Sequence, residues 1–114
     1  MGRRVLVVDD DVLVLELLAE MLADLGCDTL MARSATEALG TIANDQTIEI
    51  LISDINMPGL AGSDLAERAH SYRPHLKVIL LTGGPADSRR FPLLRKPFAQ
   101  SDLQRVMADA TGLC

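Results

Sequence analysis

The stretch Ile50-Leu51-Ile52-Ser53-Asp54-Ile55-Asn56-Met57-Pro58-Gly59 decides how the rest of the chain is read. Its opening Ile-Leu-Ile run, two of the three β-branched, reads as a short strand buried on both faces. Pro58 and Gly59 close that strand and turn the chain. A carboxylate, Asp54, stands where the strand must stop. A charge at the mouth of a buried strand is costly unless it is solvated, paired or put to use. Which of these holds for Asp54 depends on what the other strand ends bring beside it.

Working outward, Arg4-Val5-Leu6-Val7-Val8 is a second buried run, and it ends in Asp9-Asp10-Asp11. From Val12 to Leu25 the pattern turns helical, with Val14, Leu17, Leu18, Met21, Leu22 and Leu25 as the inward stripe and Glu16, Glu20 and Asp24 opposite. Asp11 is the expected N-cap and Gly26 the expected stop. Asp28 to Ala32 reads as a strand. Ser34 stands three residues before Glu37, the capping-box spacing, for a helix running to about Asn44. Past the central strand, a helix runs from Ser63 to about Tyr72, where Pro74 ends it. Leu76 to Leu81 is a further buried strand, closed by Thr82-Gly83-Gly84-Pro85. A brief apolar run, Pro92 to Arg95, precedes Lys96-Pro97, and Ser101 to about Ala110 is a last amphipathic helix. His70 and His75 flank the end of a helix and read as surface residues.

Strands alternating with helices predict parallel pairing through right-handed crossovers. The fold class is therefore α/β, a flavodoxin-like doubly wound sheet of five parallel strands in the order 2-1-3-4-5. In such sheets chemistry gathers outside the carboxyl ends of the strands. At 114 residues the chain reads as a single domain, 1–114. With no Trp, one Tyr and two Phe, its core must be aliphatic. A net charge of -5 argues against a nucleic-acid partner, which needs a concentrated basic face. The apolar run after Arg3-Arg4 is broken at once by three aspartates, so it is neither a signal peptide nor a membrane span. Cys27 and Cys114, with no metal-ligand spacing, read as free thiols, which places the chain in a reducing cytoplasm. Taken as complete, the chain has no room for an effector domain.

The residues that end the strong strands converge on one rim: Asp9 and Asp10 after the first, Asp54 after the third, Thr82 after the fourth and Lys96 after the fifth. Each alone has an ordinary explanation as a helix-capping, loop-capping or solvated residue. Together they are a different matter. Three crowded carboxylates either take a proton or bind a cation. Hard oxygen ligands with room for water suit Mg²⁺. An opposed lysine, a hydroxyl and the Gly83-Gly84 backbone complete a cradle for a phosphoryl group in transfer, with Asp54 as its nucleophile.

On the motifs Val7-Val8-Asp9-Asp10-Asp11, Asp54-Ile55-Asn56-Met57-Pro58-Gly59, Leu81-Thr82-Gly83 and Lys96-Pro97-Phe98, the chain resembles the response-regulator receiver domains of two-component signalling, over nearly its whole length. The resemblance implies that Asp54 is the phosphoacceptor, and that Asp10, Asp54 and the Asn56 backbone carbonyl hold Mg²⁺ directly, with Asp9 acting through water. It makes Thr82 the switch hydroxyl and Lys96 the cation that pairs with the phosphoryl group, and it implies a cis Lys96–Pro97 bond. Such a domain is a switch that catalyses its own phosphorylation and dephosphorylation rather than a turnover enzyme. The implied partners are a histidine kinase or histidine phosphotransfer protein and an unknown downstream protein. Phosphorylation-dependent dimerisation is left open.

Two departures from that family stand out. Thr82 and Lys96 are only 14 positions apart, which predicts that the fourth helix of the layout is absent or reduced. The family's switch aromatic, three before the lysine, is replaced by Leu93, and Phe91 is the nearest ring. Output is then expected to pass through the Thr82–Pro92 loop. On the first helix, Leu13 and Leu15 lie off the inward stripe. They are candidate anchors, with Pro97 and Phe98, for a docked kinase or phosphotransfer bundle. The alternative functions are a phosphate sink or shuttle, or a binding module independent of phosphorylation. A flavodoxin-type redox protein shares the layout but needs a hydroxyl-rich loop where this chain has three aspartates. A receiver cut from a hybrid kinase is a further origin.

Overall fold

The computed structural model describes residues 3–55, 62–83 and 91–111. In chain order the elements are β1 (Arg4–Val8), α1 (Val12–Asp24), β2 (Asp28–Ala32), α2 (Ala35–Asn44), β3 (Ile50–Asp54), α3 (Gly62–Tyr72), β4 (Lys77–Thr82), β5 (Leu93–Arg95) and α4 (Gln100–Thr111). The five strands form one sheet in the order β2-β1-β3-β4-β5, every pair parallel. The doubly wound layout read from the sequence is the one observed.

Strand periodicity sorts the core into two layers. Leu6, Val8, Leu51, Val78 and Leu80 face α2 and α3, meeting Ala38, Ile42, Leu65 and Ala69. Val5, Val7, Ile50, Ile52, Ile79 and Leu81 face α1 and α4, meeting Leu15, Leu18, Leu22, Leu103 and Val106. With both faces covered, β3 is buried along its whole length, which is why it reads as a continuous apolar run rather than an alternating one.

The predicted helix caps are in place. Asp11 Oδ1 accepts from the Leu13 N–H at 3.0 Å, and Ser34 Oγ accepts from the Glu37 N–H at 3.1 Å. Gly26, at φ 80°, ends α1 in a Schellman turn, with the Cys27 N–H on the Leu22 carbonyl and the Gly26 N–H on the Ala23 carbonyl, both 2.9 Å. Burial pushes the half-buried Cys27 thiol above its ordinary pKa, which disfavours the thiolate.

The phase of α1 differs from the expectation. The buried line is Leu15, Leu18 and Leu22, while Leu17 is 47% exposed. Leu15, at 2% exposure, is therefore a core residue and not a surface anchor; Leu13, at 74%, is the exposed one. Apolar residues are so dense along this helix that several inward stripes fit its sequence. Packing of α1 on the sheet, where Leu15, Leu18 and Leu22 join Val5, Val7, Ile50 and Ile52 in one buried layer, selects one of them.

Among the described residues four helices accompany the sheet, and positions 83–92, ten in all, join β4 to β5. An ordinary helix of roughly 11–12 residues with its turns does not fit that interval. Residues 84–90, and with them the middle of the Thr82–Pro92 loop, lie outside the described residues. Where the chain re-enters, Phe91 is buried in the α2–α3 layer. Its ring meets His70 edge-on, with centroids 6.1 Å apart, so His70 is half-buried packing rather than plain surface.

Arg73, just past α3, binds the connection between α2 and β3. Its guanidinium donates to the carbonyls of Asp45 and Gln46, each at 2.9 Å, to that of Ile42 at 3.5 Å, and to that of Ile48. These include orphan acceptors of the α2 C-terminus. In the same turn, hydrogen bonds from Thr47 and the nearby Arg4 and Arg73 charges hold the Asp45 carboxyl below its usual pKa.

Candidate functional site

Parallel register brings the strand ends to one rim. Val8 pairs with Ser53, Asp54 with Leu81, and Thr82 with Arg95. The residues that follow β1 and β5, and the last residues of β3 and β4, therefore share one end of the sheet. Asp9, Asp10 and Asp54 lie there, each placing one carboxylate oxygen within 4.8 Å of the others'.

The three carboxylates are not equivalent. Asp9 is 1% exposed and Asp54 5%, whereas Asp10 points to solvent. Burial of Asp9 is compensated on both oxygens. Oδ1 accepts from the Asp11 N–H at 2.9 Å, and Oδ2 from Lys96 Nζ at 3.0 Å. The same ammonium stands 3.7 Å from Asp54 Oδ2. Asp10 is exposed, and among the described residues no hydrogen bond or ion pair engages its carboxylate.

Lys96 is held by its backbone as well. Its N–H donates to the Thr82 carbonyl at 2.7 Å, which ties the end of β5 to the end of β4, and its peptide bond to Pro97 is cis, as the family resemblance implies. Thr82 is 1% exposed. Ser53, which sequence reading did not single out, is fully buried beside Asp54, and its hydroxyl donates to the Asp54 carbonyl at 3.2 Å. Only its position one before Asp54 could have drawn notice. Phe98 is partly buried against the α1–α4 layer. The Asn56 carbonyl lies outside the described residues.

Among the described residues the rim sets three carboxylates against the Lys96 ammonium, an excess of negative charge. All donors are hard oxygens, and the outermost is open to water. That set is capable of coordinating a divalent cation that keeps part of its hydration shell. Carboxylate repulsion would fall on binding, and the buried Asp54 carboxylate would lie beside two positive charges. No helix among the described residues is long and apolar enough to cross a membrane.

Comparison with known proteins bears on the same residues. The model of the family described as "Response regulator receiver domain" matches residues 5–108. The response regulator protein FleR of Pseudomonas aeruginosa is 34% identical over 98% of this chain and 25% of its own length. The response regulator MprA of Mycobacterium bovis is 34% identical over 90% of this chain and 48% of its own. The chain thus spans a quarter to about half of these relatives. Among solved structures, a response regulator receiver domain protein from Clostridium thermocellum superposes with a TM-score of 0.85 at 28% identity, covering 98% of this chain and 95% of that one. The signal receiver domain of an HD domain-containing protein from Pseudomonas fluorescens does so at 0.88 and 27%, covering 98% and 96%.

Proposed function

We infer the function from what the chain is: it belongs to the response regulator receiver domain family, and Asp54 is the residue on which it accepts a phosphoryl group. The observation that carries this reading is the placement of Asp54. It is nearly buried at the mouth of the central strand, with Asp9 and Asp10 oxygens within 4.8 Å and Lys96 Nζ at 3.7 Å. An Asp54 carboxylate oxygen attacks the phosphorus of a phosphohistidine. The phosphorus–oxygen bond forms as the phosphorus–nitrogen bond breaks, and the electron pair returns to the imidazole. Lys96 turns from Asp9 and Asp54 to a phosphoryl oxygen, and the Thr82 hydroxyl donates to another. Attack of water on the acyl phosphate later releases inorganic phosphate and restores Asp54.

Asp10, Asp54 and the Asn56 carbonyl would hold Mg²⁺, with Asp9 reaching it through water. Bound there, Mg²⁺ supplies positive charge to the phosphoryl oxygens. The exposure of Asp10 supports its direct role, and the Lys96 and Asp11 contacts of Asp9 support its indirect one.

Incubation with acetyl phosphate and Mg²⁺ should add one phosphoryl group by intact mass, and Asp54→Ala should remove that addition entirely. A phosphorylated Asp54→Ala protein would overturn the assignment.

The donor is a histidine kinase or histidine phosphotransfer protein in the cytoplasm. Leu13 remains the candidate anchor for it, beside Pro97 and Phe98. Leu13→Glu should slow transfer from such a donor by roughly tenfold, the loss of one good anchor, and leave acetyl phosphate labelling unchanged. Equal slowing of both reactions would count against docking there.

A second reading is favoured by the ten-residue β4–β5 connection and by Leu93 in the aromatic position. With that output route shortened, the domain acts as a phosphate sink or shuttle. A phosphoryl mimic that alters self-association or partner binding supports the switch, and no change supports the sink.

A further inference from the structure

The Schellman end of α1 has a consequence beyond the helix. There the Leu25 N–H donates to the Leu22 carbonyl at 3.0 Å, so the last turn tightens and the Met21 carbonyl needs another donor. It receives one from across the fold: Gln100 Nε2, at the first position of α4, donates to Met21 O at 2.9 Å. Between Lys96 and Gln100 lies a three-residue turn, Pro97-Phe98-Ala99. Its front is tied by the Lys96 N–H to Thr82 O, its middle by Phe98 in the α1–α4 layer, and its end by Gln100 on α1.

The other end of α1 serves the partner of Lys96. Asp11 is the N-cap of α1, and its N–H fixes Asp9 Oδ1 at 2.9 Å. Both members of the 3.0 Å Asp9–Lys96 pair are therefore referred to one rigid helix, Asp9 through the N-cap and Lys96 through Gln100. We propose that Gln100 is a positioning residue for Lys96, holding the turn that bears it against α1 so that its ammonium is set between Asp9 and Asp54. This rests on the phosphoacceptor reading of Asp54.

The test uses Gln100→Glu, which keeps the shape but turns the donor into an acceptor facing a carbonyl, and Gln100→Lys, which keeps a donor of sufficient reach. In the unphosphorylated protein, the Lys96 Nζ and Asp9 carboxyl NMR resonances should move in Gln100→Glu and return towards wild type in Gln100→Lys. Acetyl phosphate labelling should slow roughly tenfold in Gln100→Glu, the scale of a small misplacement of a reacting group, and recover in Gln100→Lys. In a Lys96→Ala background, Gln100→Glu should cause no further loss, because its effect passes through that lysine. Unmoved resonances, or an equal loss in the Lys96→Ala background, would overturn the proposal. A wild-type protein that takes up no phosphoryl group would instead overturn the Asp54 reading, and the resonances would still decide the role of Gln100.

Discussion

Lys96→Ala should cut phosphoryl uptake on Asp54 by about 10²–10³-fold while tightening Mg²⁺ binding by about tenfold. The first effect follows from removing an ammonium set between Asp9 and Asp54, which on this reading stabilises the charge that builds on the phosphoryl oxygens. The second follows from Coulomb's law at a partly screened site. Lys96 neutralises part of the charge of Asp9 and Asp54 and repels any cation placed beside it. One such contact lies between about 1 kcal/mol in water and about 4 kcal/mol at the dielectric of a protein surface. At this half-open rim the low end, about 1.4 kcal/mol or tenfold, is expected. Stopped-flow labelling and calorimetric Mg²⁺ titration separate the two. Weaker Mg²⁺ binding in the variant would mean that Lys96 acts chiefly as a scaffold for the carboxylates. Lys96→Arg should recover little, because a planar guanidinium does not occupy the point between Asp9 and Asp54 that the ammonium fills.

The largest effect on stability is expected at Arg73, far from the rim. Arg73→Ala removes a charged donor from four carbonyls between Ile42 and Ile48. A charged hydrogen bond contributes about 1.5–3 kcal/mol, and an acceptor left buried costs about 1–3 kcal/mol. Some of these carbonyls are open to water, so the expected loss is about 2–4 kcal/mol rather than the full sum. That should lower the melting temperature by roughly 10 °C. Urea and thermal melts measure it directly. A loss below about 0.5 kcal/mol would show that water replaces the guanidinium without penalty. Arg73→Lys should recover only part, since an ammonium cannot address both sides of the turn.

These two residues differ in how visible they are in the amino-acid order. Lys96 stands where a strand run ends, and its place on the rim follows once the strands are known to be parallel. Arg73 stands before a proline at the end of a helix, where an arginine ordinarily reads as a solvated charge. Nothing near it in the chain announces acceptors some 25–31 positions earlier. Gln100 is equally silent, because its acceptor is a carbonyl released by the way α1 ends, 79 positions away. The contact between His70 and Phe91 belongs to the same class.

What the sequence determined by itself was the local and the periodic. Buried apolar runs set the strands, caps and breakers set the helix limits, and alternation of the two set a parallel sheet whose strand ends share one rim. With that, Asp9, Asp10, Asp54, Thr82 and Lys96 fell together, and the short interval before Lys96 excluded a full helix there. Tertiary structure alone decided phase and partnership. In α1 the period was plain but its offset was not, so Leu15 proved to be core and Leu17 half-exposed once the helix had packed on the sheet. Of two adjacent aspartates, packing buried Asp9 against Lys96 and left Asp10 to water. A sequence carries the period of an element because backbone geometry repeats. Which side faces inward, and which distant group meets it, is set by the element packed against it.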